Sequence, residues 1–293
     1  MSSQFNESLS IDWFEGVMLG SLSDYRPDRP RKIHEISDGQ QTLRVMVPNA
    51  DMAHTLLSNP ILTHRFQLLG TCTDNEAPAI ITDIELIDEG QALWQLPPSL
   101  CPVIDVLSST IDLIAGIQTL PLREFVMRVF VDRAVCRHYW TMPASARHHH
   151  AWPGGLATHS LEVAMDLATQ SQLDNTECDL AVAGGLLHDI GKVWSYTPDM
   201  FQNRAARAMG HELIGLSKLE HEIRILEDDW PDGAYAMRVL LSGCGRMRPD
   251  GSMPSSLLAR IKAADQRSCE QERSTHAPRQ WRPSGWQDAP ANH

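Results

Sequence analysis

The hydrophobic pattern of the chain changes at residues 96–99, Leu-Pro-Pro-Ser. Before this point the apolar stretches are short and bounded by turn residues, which is typical of β-strands. After it the apolar residues recur at helical spacing to about residue 273. A chain of 293 residues is long enough for two modest domains. We therefore predict an α+β multidomain protein, a small β-barrel followed by an all-α domain. The predicted segments are a barrel at 1–95, a linker and connecting helix at 96–122, a helical domain at 123–274 and a disordered tail at 275–293.

The front part contains five predicted strands and one helix. Asp38-Gly39 is a favoured hairpin turn between the second and third strands, and Asn49 is a plausible N-cap for the helix. The predicted strands are 16–22, 31–37, 41–48, 64–73 and 77–88, with the helix between the third and fourth. An OB-fold, a five-stranded barrel, has this order of elements, so we predict an OB-like domain.

An OB-fold often binds single-stranded nucleic acid through basic and aromatic side chains. The candidates here are Arg44, Arg65 and Phe66. These few residues fit a packing or substrate-orienting domain equally well. The net charge of −12 argues against sequence-independent binding to duplex nucleic acid, which needs a strongly basic face, but not against a metal-dependent nuclease.

Two predicted helices place imidazoles where apolar residues are expected. His159 lies on the stripe formed by Leu156, Val163 and Leu167, where a histidine alone is more often a satisfied core residue than a ligand. The pair His188-Asp189 follows an apolar helix for which Thr176 and Asp179 are interpreted as a capping box and Gly191 as a left-handed end. An incidental pair on a surface turn is the alternative, although Gly184-Gly185 would let another backbone approach closely.

Asp265 and a histidine run are the other two candidate features. Asp265 continues the stripe of Leu258 and Ile261, where a carboxylate is costly unless it is paired or binds a metal. A buried ion pair to an arginine is the alternative. The run His148-His149-His150 precedes a Pro-Gly-Gly turn, and a solvated loop is its alternative.

Together these features predict a metal site. His159, His188, Asp189 and Asp265 supply two imidazoles and two carboxylates from three helices. This donor set suits Mn²⁺, Fe²⁺, Mg²⁺ or Zn²⁺, with Mn²⁺ the first choice, and leaves positions for water and substrate.

The four residues and their local sequences, GGLATHSLEVA, GGLLHDIGKV and IKAADQRS, resemble the H…HD…D ligand set of the HD-domain metal-dependent phosphohydrolases. The resemblance covers about residues 120–272. The segment MPASARHHHAWPGGLATHSLEVA is similar to one in YhaM-type 3′→5′ exoribonucleases, which also place an OB-fold before the HD domain. It is also similar to the HD-type domain of MobH-class conjugative relaxases.

The resemblance implies roles for further residues. Lys192 would stabilise charge on the phosphate, while His149 and His150 would contact the phosphate or protonate the leaving oxygen and His148 would bind substrate. His211 matches a ligand of a second metal. A His-His pair common in two-metal relatives is absent from Leu241-Ser242-Gly243-Cys244-Gly245, which leaves the second ion in doubt.

The predicted function is metal-dependent hydrolysis of single-stranded RNA or DNA, as a 3′→5′ exonuclease. Two alternatives stay open: a catalytically weakened binding or accessory module of relaxase type, and a nucleotide phosphohydrolase. The sequence shows neither a secretory signal nor a membrane helix, so we expect a cytoplasmic protein without a membrane partner. A homo-oligomer is kept as an option.

Overall fold

The computed structural model describes residues 11–25, 33–70, 77–88, 91–197, 200–243 and 253–274. The chain divides into two compact units, residues 1–100 with Phe130–Arg137, and Cys101–Val129 with His138–His293. The predicted tail at 275–293 lies outside the described residues.

The first unit contains five strands that close into a barrel in the order β1-β2-β3-β5-β4. All neighbouring pairs are antiparallel except β3 and β5, which are parallel. The strands are β1 Ile11–Met18, β2 Ile33–Ser37, β3 Thr42–Met46, β4 Thr63–Leu69 and β5 Ala79–Asp88. A five-stranded sheet with a helix before its fourth strand is consistent with the predicted OB-like domain.

The helix of the barrel, α1 (Ala50–Leu57), buries Leu56 and Leu57 in the barrel core. Asn49 caps it as predicted, because its side chain accepts a hydrogen bond from the backbone N–H of Met52 at 2.9 Å. The first strand differs from the prediction: it spans Ile11–Met18 and not 16–22. Its outer face carries Trp13, which is 57% exposed, so polar and apolar residues are mixed along the start of this strand and it lacks a continuous apolar stretch.

Arg133 ties a segment distant in sequence to the barrel unit. Its guanidinium donates to the carbonyl oxygens of Ser58, Met18, Gly20 and Leu56. The side chain is buried, and burial lowers its pKa to about 10, so it remains charged at neutral pH. One cation therefore satisfies carbonyls from two stretches of the barrel unit, residues 18–20 and 56–58.

We expect Arg133→Leu to lower the free energy of unfolding by about 3 kcal/mol or more, because buried carbonyl groups lose a charged donor. Arg137→Leu is the matched control: its ion pair with Asp24 is 3.6 Å long and half exposed, and such pairs contribute about 1 kcal/mol or less. Urea unfolding measures both variants. Equal losses would show that Arg133 has no special role.

The second unit is helical among its described residues. Its helices are α2 Val106–Gly116, α3 Leu120–Phe130, α5 Gly155–Ala168, α6 Asn175–Leu187, α7 Lys192–Ser195, α8 Arg204–Lys218, α9 Glu220–Asp229, α10 Pro231–Ser242 and α11 Met253–Ser274. The last residue of α3, Phe130, and all of α4 (Arg133–His138) except His138 belong to the first unit. None of the described helices is long and apolar enough to cross a bilayer.

Two glycines set the spacing of the helices that carry the predicted ligands. A Cβ at Gly185 would lie 3.0 Å from Cα of Ala164, so α5 and α6 pack with their backbones close together. A Cβ at Gly184 would lie 2.6 Å from Cδ1 of Ile261 on α11. The expected close approach of another backbone is therefore present at Gly185, whereas Gly184 contacts a side chain.

The predicted ends of α6 are wrong. The capping box is Asp174 with Glu177, whose side chains bond to each other's backbone N–H groups. Asp179 instead accepts hydrogen bonds from the backbone N–H groups of Gln118 and Thr119, a tertiary contact. Gly191 has φ −61° and is not left-handed.

Candidate metal centre

His159 and His188 face each other across the α5–α6 contact, and their Nε2 atoms are 3.3 Å apart. His159 lies in the middle of α5 and is fully buried. His188 follows the last turn of α6. Asp189 and Asp265 complete the group: the nearest carboxylate oxygens lie 3.5 Å from Nε2 of His188 for Asp189 and 3.1 Å from Nε2 of His159 for Asp265. The four predicted ligands therefore meet at one place.

The second nitrogen of each imidazole is already occupied. Nδ1 of His188 donates to the carbonyl oxygen of Gly185 at 2.8 Å. Nδ1 of His159 lies 3.0 Å from Oγ of Ser268, and that hydroxyl donates its own hydrogen to Glu162 at 2.6 Å, so it must accept from His159. When neither ring carries a second proton, both Nε2 atoms therefore present lone pairs to each other and to carboxylates.

This arrangement is unfavourable without a shared cation. Burial lowers the pKa of His159, although hydrogen bonding to Asp265 opposes that effect, so a second proton on the ring is disfavoured at neutral pH. A divalent ion would satisfy both lone pairs and the carboxylates at once.

The distances fit such an ion. Two atoms that each lie about 2.1 Å from one metal are about 3.0 to 3.4 Å apart in octahedral or tetrahedral geometry. The separations of 3.1 and 3.3 Å at His159 fall in this range. His159, His188 and Asp265 have ligand atoms within 4.8 Å of one another. Asp189 is slightly farther, with Oδ2 3.8 Å from Nε2 of His159.

Asp189 is held by two more side chains. Lys192 donates to Oδ2 at 2.5 Å and to the carbonyl oxygen of Ala144 at 2.8 Å, and His211 donates to Oδ1 at 2.8 Å. Burial raises the pKa of Asp189, but Lys192, His188 and His211 outweigh it and hold the pKa well below its usual value. The carboxylate is therefore ionised and oriented at neutral pH.

The close approach of His211 depends on Gly191. A Cβ at this glycine would lie 1.9 Å from the carbonyl oxygen of His211. The sequence motif HDIG thus needs its glycine for backbone contact with α8, and not for a left-handed turn as predicted. His211, the predicted ligand of a second ion, donates a hydrogen bond to Oδ1 of Asp189, whereas Lys192 binds Oδ2. Cys244, in the segment where relatives carry histidines, lies outside the described residues.

Ser268 and Glu162 orient His159, and neither residue was predicted from the sequence. Glu162 accepts from Ser268 and also bonds Nε2 of His150 at 3.1 Å. Burial raises the pKa of Glu162, but the bonds to His150 and Ser268 outweigh it and the pKa is lowered. The available signal was spacing: Glu162 follows His159, and Ser268 follows Asp265, by three residues on a helix.

We expect Ser268→Ala to weaken Mn²⁺ affinity about 10- to 100-fold, because His159 loses the partner that keeps Nε2 free for the ion. Ser217→Ala, an exposed position on α8, is the control and should bind Mn²⁺ as the unsubstituted protein does. Isothermal titration with Mn²⁺ compares the two. Unchanged affinity in a folded Ser268→Ala protein would remove Ser268 from the site.

The histidine run does not act as one unit. His148 and His149 line the cavity over the metal ligands, and the His149 ring centroid is 5.1 Å from that of His159. Burial, with the nearby His159 and Lys192, lowers the pKa of His149 to about 4. The predicted role of His149 as a proton donor is therefore disfavoured at neutral pH, where it is neutral.

His150 is 1% exposed, bonds Glu162 and does not line this cavity. Its predicted contact with the phosphate does not agree with this position, because the side chain is turned into the protein behind His159. His150 instead bonds to Glu162, which accepts a hydrogen bond from Ser268, the residue that orients His159.

The cavity has a volume of about 420 Å³, which is large enough for a nucleotide-sized group. Its walls come from α6 to α8, α10, α11 and the loop before α5. The lining residues are His148, His149, His188, Asp189, Lys192, His211, Glu212, Leu240, Gly243, Leu258, Ile261, Lys262, Asp265, Gln266 and Cys269.

The three barrel residues predicted to bind substrate have different surroundings. Phe66 is fully buried in the barrel core, so its predicted stacking role is wrong: neither ring face is open to a base. Arg65 is paired with Glu15 at 3.4 Å and with Glu85 at 3.1 Å. Arg44 is exposed on β3, opposite Glu35 of β2.

One protein-family model matches the helical unit. Residues 156–268 match the model of the HD domain, an all-α family. The match includes His159, His188, Asp189, His211 and Asp265. No curated protein and no solved structure matches the chain. The match supports membership of the HD-domain superfamily, and an HD domain implies a metal-dependent phosphohydrolase that binds divalent ions.

Proposed function

We propose that the protein hydrolyses phosphodiester bonds of single-stranded nucleic acid, as a 3′→5′ exonuclease that requires a divalent ion. The observation that carries the proposal is the cluster of two imidazole Nε2 atoms and two carboxylates, in which His188, Asp189 and Asp265 line a cavity. Mn²⁺ is the ion we expect first, since oxygen and nitrogen donors without thiolate suit it. The direction of hydrolysis rests on the resemblance to YhaM-type enzymes.

His159, His188, Asp189 and Asp265 would hold the ion. When bound, an ion of this type polarises a phosphoryl oxygen and makes water a stronger nucleophile near neutral pH. Lys192 keeps Asp189 ionised and adds positive charge at the cavity wall, where a phosphate would be placed. His211 fixes the other oxygen of Asp189, so the carboxylate cannot rotate.

His149 contributes a neutral imidazole to the same cavity. Since its pKa is about 4, the ring is unprotonated at neutral pH, where it can accept a hydrogen bond and does not supply a proton. Lys262, on the cavity rim, donates to the carbonyl oxygen of Gly243 and is exposed, so it can contact a phosphate that enters from solvent.

The barrel would bind nucleotides of the strand other than the one that is hydrolysed. Its OB-like strand order supports this role, and β1 carries an exposed ring, Trp13, that was not among the residues predicted from the sequence. The candidates Phe66 and Arg65 give less support, since one is buried and the other is paired with two glutamates.

Those two glutamates favour a second candidate function, hydrolysis of a small nucleotide. Glu15 and Glu85 flank Arg65 on one face of the barrel, and negative charge there repels a polyanionic strand. A mononucleotide needs only the cavity and not this face.

The test is Mn²⁺-dependent hydrolysis of RNA and DNA single strands, each labelled at the 5′ end in one sample and at the 3′ end in another. A 3′→5′ exonuclease shortens the 5′-labelled strand stepwise and releases the 3′ label at once in a mononucleotide. Nucleoside triphosphates and bis(p-nitrophenyl) phosphate are assayed in parallel. Hydrolysis of nucleoside triphosphates alone would support the second candidate, and bound metal without any hydrolysis would overturn both.

A further inference from the structure

A second group of side chains with metal-ligating atoms lies beside the first, and two of its members, His149 and Cys269, line the cavity. His149, His159 and Cys269 have ligand atoms within 4.8 Å of one another. Cys269 follows Asp265 by one turn of α11, and its thiol lies 3.5 Å from Oδ1 of that residue. The group thus joins the loop before α5, α5 itself and α11.

His149 has a buried ring nitrogen, Nδ1, that lacks a hydrogen-bond partner among the described residues. A buried polar nitrogen without a partner costs free energy, and a bound cation would satisfy it. The proximity of a thiol and a second imidazole makes a metal ion the fitting partner.

The two groups share His159. Nδ1 of this ring is bonded to Ser268, so Nε2 is the atom left for either group. One nitrogen lone pair cannot serve two ions, and occupation of one group must therefore withdraw His159 from the other.

We propose that His149, His159 and Cys269 form a site for a thiophilic divalent ion of the Zn²⁺ type, and that this ion competes with the one held by His188 and Asp265. A thiolate with two imidazoles selects Zn²⁺ or Co²⁺ over Mn²⁺ or Mg²⁺. Binding displaces the thiol proton to solvent, and the cysteine then contributes a thiolate. The competition would make hydrolysis under the proposed function sensitive to zinc, but the site itself does not depend on that function.

The test is a Co²⁺ titration of the full-length protein, because a thiolate bound to Co²⁺ gives a ligand-to-metal charge-transfer absorption in the near ultraviolet. The unsubstituted protein should show the band, and Cys269→Ala should lose it. Cys178→Ala, which removes a half-buried thiol from α6, is the control and should keep it. His188→Ala should also keep the band, since His188 is not in this group.

Competition is measured in the same titration. Excess Mn²⁺ should shift the appearance of the band to higher Co²⁺ concentration in the unsubstituted protein, and the shift should be lost in His188→Ala. A band that survives Cys269→Ala, or no band at all, would overturn the site, and an unshifted curve would overturn the sharing of His159. These readouts are of binding alone, so they stand apart from the hydrolysis assay.

Discussion

His188→Ala is expected to reduce Mn²⁺-dependent hydrolysis about a thousandfold or more. The substitution removes one of two imidazole ligands whose Nε2 atoms lie 3.3 Å apart, and an ion that is absent or misplaced forfeits several kcal/mol of transition-state stabilisation. The measurement is the initial rate on the best substrate of the end-label assay, at saturating Mn²⁺, with bound metal determined in the same samples.

His221→Ala is the matched control for this experiment. His221 is exposed on α9 and does not line the cavity, so its removal should leave both rate and metal content as in the unsubstituted protein. A folded His188→Ala protein that hydrolyses substrate at the full rate would contradict the assignment of the metal ligands.

Lys192→Met is expected to lower the stability of the metal-free protein by about 3 to 5 kcal/mol at pH 7. Lys192 is the main cation that compensates the buried carboxylate of Asp189, and an ion pair broken by removal of one partner leaves an uncompensated charge. Urea unfolding in the presence of a chelator measures the loss. Lys218→Met, at an exposed position on α8, should change stability by less than about 0.5 kcal/mol.

The loss should depend on pH in a defined direction. The pKa of Asp189 in the folded protein is far below the ordinary value of 3.8, so its stabilising effect is present above pH 3.8 and is lost as the pH falls through the folded pKa. Without Lys192, burial raises this pKa and the folded variant takes up a proton more readily. The stability difference between the two proteins should therefore narrow as the pH falls below about 4.

Mn²⁺ should also reduce the difference in stability between the unsubstituted protein and Lys192→Met at pH 7. A divalent ion beside Asp189 replaces part of the missing positive charge, so the variant gains more stability from Mn²⁺ than the unsubstituted protein does. Equal gains, or a loss in Lys192→Met no larger than in Lys218→Met, would show that Lys192 does not compensate Asp189.

The sequence indicated the four candidate metal ligands but not the residues that hydrogen-bond to them, for a physical reason. Helical periodicity tells which residues share a face, and it put His159 on the buried side of α5 and Asp265 in line with Leu258 and Ile261. The pairing of Ser268 with Glu162 depends on how α11 lies against α5. Neither helix encodes that contact by itself.

The start of α6 was predicted wrongly because two residue pairs have the spacing of a capping box. Asp174 with Glu177, and Thr176 with Asp179, both satisfy the capping spacing, and only the tertiary contact of Asp179 with residues 118–119 separates them. Arg133 is a similar case. A single arginine at the start of a short helix carries no sign that its guanidinium binds four carbonyls of the barrel unit.

Phe66 illustrates the limit of reading function from residue type. Its position in a predicted strand was consistent with a stacking aromatic, but strand alternation also allows the inner face, and β4 turns Phe66 inward beside Leu68. Trp13 on β1 faces outward because alternate residues of a strand point to opposite faces, and Phe14 and Gly16 of this strand face inward.

The most direct test of the metal site is anomalous diffraction at the manganese absorption edge from crystals grown with Mn²⁺. The account predicts an anomalous peak within bonding distance of Nε2 of His159, Nε2 of His188 and carboxylate oxygens of Asp189 and Asp265. A fully occupied Mn²⁺ peak elsewhere, with these four side chains bound to no ion, would contradict it.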